Sequence, residues 1–141
     1  MKDSNWDLDL RDGLAGESKV ADLLSLDTLE VKTDRRWRET GNIYIETECW
    51  YQVSQAWEPS GIRVTKATHW AYVLEDSVII VPTYRIREML WGDKVRPITC
   101  NIPPNPSRGY LVTPGTLLEY VRDAHNYEIQ EHNEYEREKY G

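Results

Sequence analysis

Leu29, Val31 and Thr33 alternate with Glu30, Lys32 and Asp34, and Ile43, Ile45, Thr47 and Cys49 alternate with Tyr44, Glu46, Glu48 and Trp50. A period of two predicts strands with one largely apolar face and one charged face. The link RRWRETGN, closing on Gly41-Asn42, predicts that the two strands form a hairpin. In the register that sets Asp34 opposite Glu46, Lys32 falls opposite Glu48 and Glu30 opposite Trp50. Upstream, Leu14, Val20, Ala21, Leu23 and Leu24 have helical spacing, which predicts an amphipathic helix from Gly13 to Leu26. Downstream, YQVSQAWEPSGI reads as a loop, Thr65 as the cap of a short helix TKATHW, and SVIIVP as a buried strand paired with WAYVL through Glu75-Asp76. Thr83 is expected to cap a helix YRIREMLW that stops at Gly92. The proline-rich stretch 93–109 is expected to contain no helix, and Tyr110 to Thr113 to form a short strand. Pro114 opens a last helix with Leu117, Leu118, Val121 and Ala124 on one stripe. The residues from 127 onward are a solvated helix extension or a frayed tail.

These elements imply an α/β domain. At 141 residues the chain suits one domain, with 1–12 as an acidic lead-in and 127–141 as a charged C-terminal extension. The aromatic residues are six Trp and nine Tyr with no Phe, so nearly every ring carries a polar handle. A net charge of -7 argues against coating nucleic acid through bulk charge, although many of the basic residues lie in the middle of the chain. Cys49 and Cys100 have neither metal-ligand spacing nor a disulfide framework, which points to a reducing compartment. The start, MKDSNWDLDLRDG, lacks the apolar core of a signal peptide, and no apolar run reaches membrane-span length. These features predict a cytoplasmic protein with no membrane association.

The proposed register would bring four carboxylates and a lysine onto one face. That arrangement repels itself unless a cation or hydrogen-bond donors intervene. A divalent ion needs oxygen ligands from separate backbone segments, and Glu46 and Glu48, two apart, would share a face. The bland alternative is a row of exposed Lys-Glu pairs, each contributing a few tenths of a kcal/mol. For Glu17 the bland reading is a glutamate favoured by its helix dipole, and the sharper one a carboxylate aimed over the helix at the sheet. Arg35, Arg36 and Arg38 around Trp37 can meet phosphates, or can lie on a solvated turn. His69 reads as a packed imidazole, and His125 and His132 make no metal pair. No Ser-His-Asp order, phosphate-binding glycine loop or zinc signature is present.

Taken in order, Glu17 in GESKVADLL, EVKTD ending at Asp34, and IYIETE with Glu46 and Glu48 resemble the PD-(D/E)XK nuclease superfamily. Together with TGN, PSGI and the HWAYVL strand, they are similar to its small phage-type members over about residues 13 to 91. The resemblance implies a restriction-endonuclease-like αβββαβ core, with a mixed central sheet flanked by helices, and an endonuclease that hydrolyses DNA with Mg²⁺ or Mn²⁺. It places Asp34 and Glu46 as metal ligands, with Glu17 as a third carboxylate. The motif lysine falls on Glu48, which would orient or deprotonate the attacking water. Glutamate also occurs at this position in some restriction-type members. Lys32 or Lys66 would take the part of the lysine, and Arg35, Arg36, Arg38 and Arg63 would hold the DNA backbone. A phage-encoded member would work in the host cytoplasm. Pairing of two sites to cut two strands would make a homodimer. The alternative function is a catalytically inactive nuclease fold that binds nucleic acid or a protein partner.

Overall fold

The computed structural model describes residues 13–22, 29–34, 36–92 and 95–140. Residues 13–22 form a helix (α1), exposed along its whole length. The remaining elements are β1 (Leu29–Thr33), a single helical turn α2 (Trp37–Thr40), β2 (Ile43–Tyr51), β3 (Ala56–Pro59), a 3-10 turn (Gly61–Arg63), β4 (His69–Leu74), β5 (Ser77–Pro82), α3 (Thr83–Met89), β6 (Arg96–Cys100), β7 (Ser107–Val112) and α4 (Pro114–Tyr140). The architecture is α/β, but the strands form two hydrogen-bonded sheets rather than one central sheet. One is a mixed three-stranded sheet in the order β1-β4-β5, and the other is a four-stranded antiparallel sheet in the order β3-β2-β7-β6.

The expected β1–β2 hairpin does not form. β1 runs parallel to β4, with Glu30 beside Trp70 and Lys32 beside Tyr72. β2 pairs with β3 on one side and with β7 on the other. The register that set Asp34 against Glu46 is therefore replaced, and the cause lies in the link. Its middle folds into α2, and Gly41, at φ 72°, ends that turn instead of closing a hairpin. A left-handed residue just past a helix is the ordinary use of glycine. Trp37 on this turn packs against the core.

The β4–β5 hairpin forms as expected, with Glu75 in the turn at a positive φ of 65°. The short helix expected at 65–70 is absent, because His69 and Trp70 already belong to β4. The proline-bearing stretch supplies β6 and the start of β7, and the presumed loop after Trp50 supplies β3. Thr83 is the first helical residue, not a cap; its hydroxyl donates to the carbonyl of Ala67 at 2.8 Å. The last helix runs without interruption to Tyr140, about 40 Å at 1.5 Å per residue. The predicted helix residues 23–26 and the lead-in 1–12 lie outside the described residues.

The core fills with Ile43 and Ile45 of β2, Ile62 of the 3-10 turn, Trp70 and Tyr72 of β4, and Leu117 of α4, all at most 1% exposed. Full burial of such side chains contributes roughly 1.5–3 kcal/mol each, an upper estimate because denatured chains already bury some apolar surface. Arg85, only 4% exposed, joins α3 to α4 through Glu128 at 2.7 Å and also meets Glu88 at 3.0 Å. Cys49 and Cys100 lie on β2 and β6 with β7 between them, about 9–10 Å apart by strand spacing, beyond disulfide reach. No helix among the described residues is long and apolar enough to cross a membrane.

Candidate functional site

The sheet register divides the acidic residues that the linear pattern groups together. Along β2, Glu46 pairs with Gly109 and Glu48 with Arg108, so Thr47 is an extra residue in the ladder. A β-bulge of this kind shifts the alternation by one. Glu46 and Glu48, two apart in sequence, therefore stand opposite consecutive residues of β7 and face opposite sides of the sheet. Their surroundings agree. Glu48 meets Arg63 at 4.0 Å and lies in a pocket with Arg108 and Tyr110, whereas Glu46 faces the three-stranded sheet. The expectation that both reach one ion is corrected by this bulge.

Two glycines allow close backbone packing on either side of β2 around Ile45 and Glu46. A Cβ on Gly61 would lie 2.3 Å from the carbonyl oxygen of Glu46, and one on Gly109 would lie 2.2 Å from that of Ile45. Gly61 also has φ +55°, a conformation that costs L-residues roughly 1–2 kcal/mol. The segment from Ser60 to Lys66 is thus laid directly across the bulge, with the Ser60 amide donating to Thr47 at 2.9 Å. Arg87 of α3 fixes the far side of this strap by donating to the carbonyls of Ile62 at 2.9 Å and Thr65 at 2.8 Å. One groove results, in which Glu30 and Lys32 of β1, Glu46 of β2, and Gly61 and Lys66 of the strap are neighbours.

Within the groove, Lys32 lies 3.2 Å from Glu30 and 5.4 Å from the Trp70 ring centre. The pair is about half exposed, so water screens it and its net contribution to stability is about 0–1 kcal/mol. Such a pair can exchange partners readily when an anion or a cation enters. Lys66 is exposed on the strap.

Asp34 has a different part. Its two carboxylate oxygens accept the backbone amides of Arg36 at 3.0 Å and Tyr44 at 3.1 Å. It ties the end of β1 to the start of β2, bridging the two sheets through a side chain. Glu17 is exposed on α1 and lines neither the groove nor the neighbouring cleft. Among the described residues no three His, Cys, Asp or Glu side chains form a metal-binding group. Asp34 and Glu46 both line the cleft between the sheets, and Glu17 does not join them there. Glu30 and Glu46 are the two carboxylates that line the groove, and Mg²⁺ commonly uses one or two protein carboxylates, completing its shell with water and substrate phosphate.

Of the expected DNA-contacting arginines, Arg38 is paired with Glu75 and Arg63 with Glu48. Arg35 lies outside the described residues. Arg36 lines the cleft between the sheets, as does Arg96, which the linear reading passed over. Glu30, one of the four carboxylates of the expected face, has no assigned role in the linear reading. Glu30-Val31-Lys32 sets an acid and a lysine two apart on one strand face, an acid-x-lysine triplet of its own.

Two tyrosines near the cleft are held in the phenol form. Burial, with Glu46 nearby, raises the pKa of Tyr44, whose hydroxyl lies 2.7 Å from that of Ser107. Burial raises that of Tyr72 further, with the Asp34 charge adding to it. Compared with family models, with curated proteins and with solved structures, the chain shows no significant match.

Proposed function

We propose that this chain is a Mg²⁺- or Mn²⁺-dependent DNA endonuclease of restriction-endonuclease-like αβββαβ descent, with its centre at Glu46, Glu30 and Lys32. The observation that supports it best is the groove itself. Two carboxylates and two lysines from three backbone segments line it, and the backbone of Glu46 is closely abutted by Gly61. Glu46 and Glu30 would hold the ion. When bound, the ion neutralises charge on the scissile phosphate and makes water a usable nucleophile at neutral pH.

The chain's own residues do the rest. Lys32, set by Glu30 and the Trp70 face, places a positive charge beside the phosphate oxygens, where electrostatic preorganisation has its largest effect. Lys66 presents a second cation from the strap. Arg36 holds the adjoining backbone, while Asp34 keeps Arg36 and β2 in position through their amides. Glu48 belongs to the opposite face and has no part in the step. The assignment of Glu17 rests on the motif resemblance alone.

The second reading, nucleic-acid binding without cleavage, is favoured by one observation. The carboxylate that the motif order assigns first to the metal, Asp34, is already committed to two backbone amides. One assay separates the two. The protein is incubated with branched, duplex and single-stranded DNA in Mg²⁺, Mn²⁺ or EDTA, beside Glu46→Gln, Lys32→Ala and Asp34→Ala. Metal-dependent cleavage that disappears in Glu46→Gln and falls on the order of 10²–10³-fold in Lys32→Ala supports the enzyme. No cleavage with either metal, or cleavage unchanged in Glu46→Gln, rejects it.

A further inference from the structure

Lys32 and Glu46 also belong to a second and larger space. Between the two sheets, sharing these two residues with the groove, lies a cleft of about 690 Å³. That volume is in the range of pockets that enclose one ligand of moderate size and is far too small for a duplex. One wall is the face of the four-stranded sheet that carries Tyr44, Ile98, Cys100 and Leu111; Trp70 and Tyr72 of β4 stand opposite. These two walls are thus largely apolar. The Tyr44 ring is fixed by its bond to Ser107. Trp70 Nε1 and Tyr72 Oη, both buried, have no hydrogen-bond partner among the described residues, an incomplete pairing that native structures rarely leave.

The charges give the cleft its sign. Arg36 and Arg96 line it, and neither has a carboxylate partner among the described residues, although the chain as a whole carries -7. With Lys32 they set three cations against two carboxylates, Glu46 and Asp34, the latter held by backbone amides. A flat body with an attached anion complements the apolar wall and the cations, and a nucleotide has that shape: its base would lie against the Tyr44 and Ile98 wall, with its phosphate toward the arginines.

We infer that the cleft receives a single unpaired nucleotide of a DNA strand, extruded from or missing its duplex partner, next to the bond held over Lys32 and Glu46. That the strand is DNA and is cut rests on the proposed function; that the cleft takes a nucleotide does not. Extrusion costs a few kcal/mol, least where the base is already unpaired, so bulged, gapped or single-stranded sites would be preferred over perfect duplex.

Binding is measured in EDTA, where no cleavage intervenes, with duplexes carrying 2-aminopurine either in a one-nucleotide bulge or fully paired, and with free dTMP and orthophosphate as separate probes. The variants are Ile98→Trp, which fills the cleft from an exposed strand position, and Arg96→Ala, which removes a rim charge without touching the core. The bulged duplex is expected to bind at least tenfold tighter than the paired one, with quenched 2-aminopurine fluorescence. Ile98→Trp should abolish that preference, and Arg96→Ala should reduce it several-fold; both should leave paired-duplex affinity within about twofold. Equal binding of bulged and paired duplex overturns the inference, as does a preference unchanged in both variants. Binding of free dTMP as tight as that of the bulged duplex overturns it too, by making the cleft a mononucleotide site. Loss of cleavage in Glu46→Gln tests the proposed function separately, since that residue can fail as a catalyst while the EDTA preference survives.

Discussion

The β4–β5 hairpin and the β1/β2 segment are each two alternating strands joined by a polar link, yet only the first pairs with itself. In the hairpin, Glu75 and Asp76 reverse the chain and every residue from His69 to Leu74 finds its partner in β5. In the other segment the link is long enough to fold by itself into α2, and the strands leave it for different sheets. Asp34 then makes with its side chain the connection that a ladder would otherwise make. Alternation decides which residues share a face, whereas partners depend on what the link can become and on which other strand offers a better edge. The hairpin side therefore owes its order to local pairing, and the β1/β2 side to close contacts between distant residues.

Changes at those contacts should disturb the second side and spare the first. The largest effect is expected at Gly109 and Gly61. Gly109→Ala forces a methyl group into the backbone of Ile45 and should cost about 3 kcal/mol or more. Gly61→Ala combines a similar clash at Glu46 with the positive φ. Both should lower the melting temperature by several degrees. Native-state hydrogen exchange should show β2 and β7 amides losing protection while the β4–β5 amides keep theirs. Loss of protection in the hairpin to the same degree would show that the two sides are not separable.

A smaller effect is expected at Asp34. Asp34→Ala leaves the amides of Arg36 and Tyr44 without their acceptor and should cost about 1–3 kcal/mol in urea unfolding, with or without Mg²⁺. Asp34→Asn keeps one acceptor oxygen and should fall between. If Mg²⁺ stabilises the wild type but not Asp34→Asn, with no other change, the residue is a metal ligand and the structural role is secondary.

The smallest effect tests what supports the hairpin side. The bond to Arg85 holds the Glu128 carboxyl below its usual range. A carboxyl whose pKa is lower in the folded state stabilises fully above its unfolded value, and that contribution disappears as pH falls through the folded one. Arg85, whose pKa the same pairing raises, stays charged throughout. Thermal melts between pH 7 and pH 3 should therefore show a steeper acid loss in the wild type than in Glu128→Gln, whose melting temperature should already be lower at pH 7. Parallel curves would mean that the link between α3 and α4 contributes nothing.

Much of this organisation is legible in the linear order, and what is not has physical causes. β1, β2, β5, the β4–β5 turn and the start of α4 at Pro114 follow from periodicity and punctuation. β6 and β3 do not, because they are short, carry proline, and pair at sheet edges where proline is tolerated. At the candidate site, Glu46, Lys32 and Lys66 can be found from sequence and lie in one groove. The place of Glu48 cannot, since a bulge is a property of two paired strands and leaves no mark in one of them. Glu30 is legible as part of the charged face, but its place in the groove depends on the strap, which no local pattern announces.

The single extra residue at Thr47 also bears on how this chain can be compared with any other. It makes the spacing along β2 odd where it looks even, so two sequences aligned without a gap through Glu46 and Glu48 can match in letters and disagree in three dimensions. A relative that lacks the bulge would carry its second acid on the Glu46 side, and one that moves the bulge by a position would exchange the faces of the residues between. Parity, more than residue identity, is the character of this strand to compare across chains.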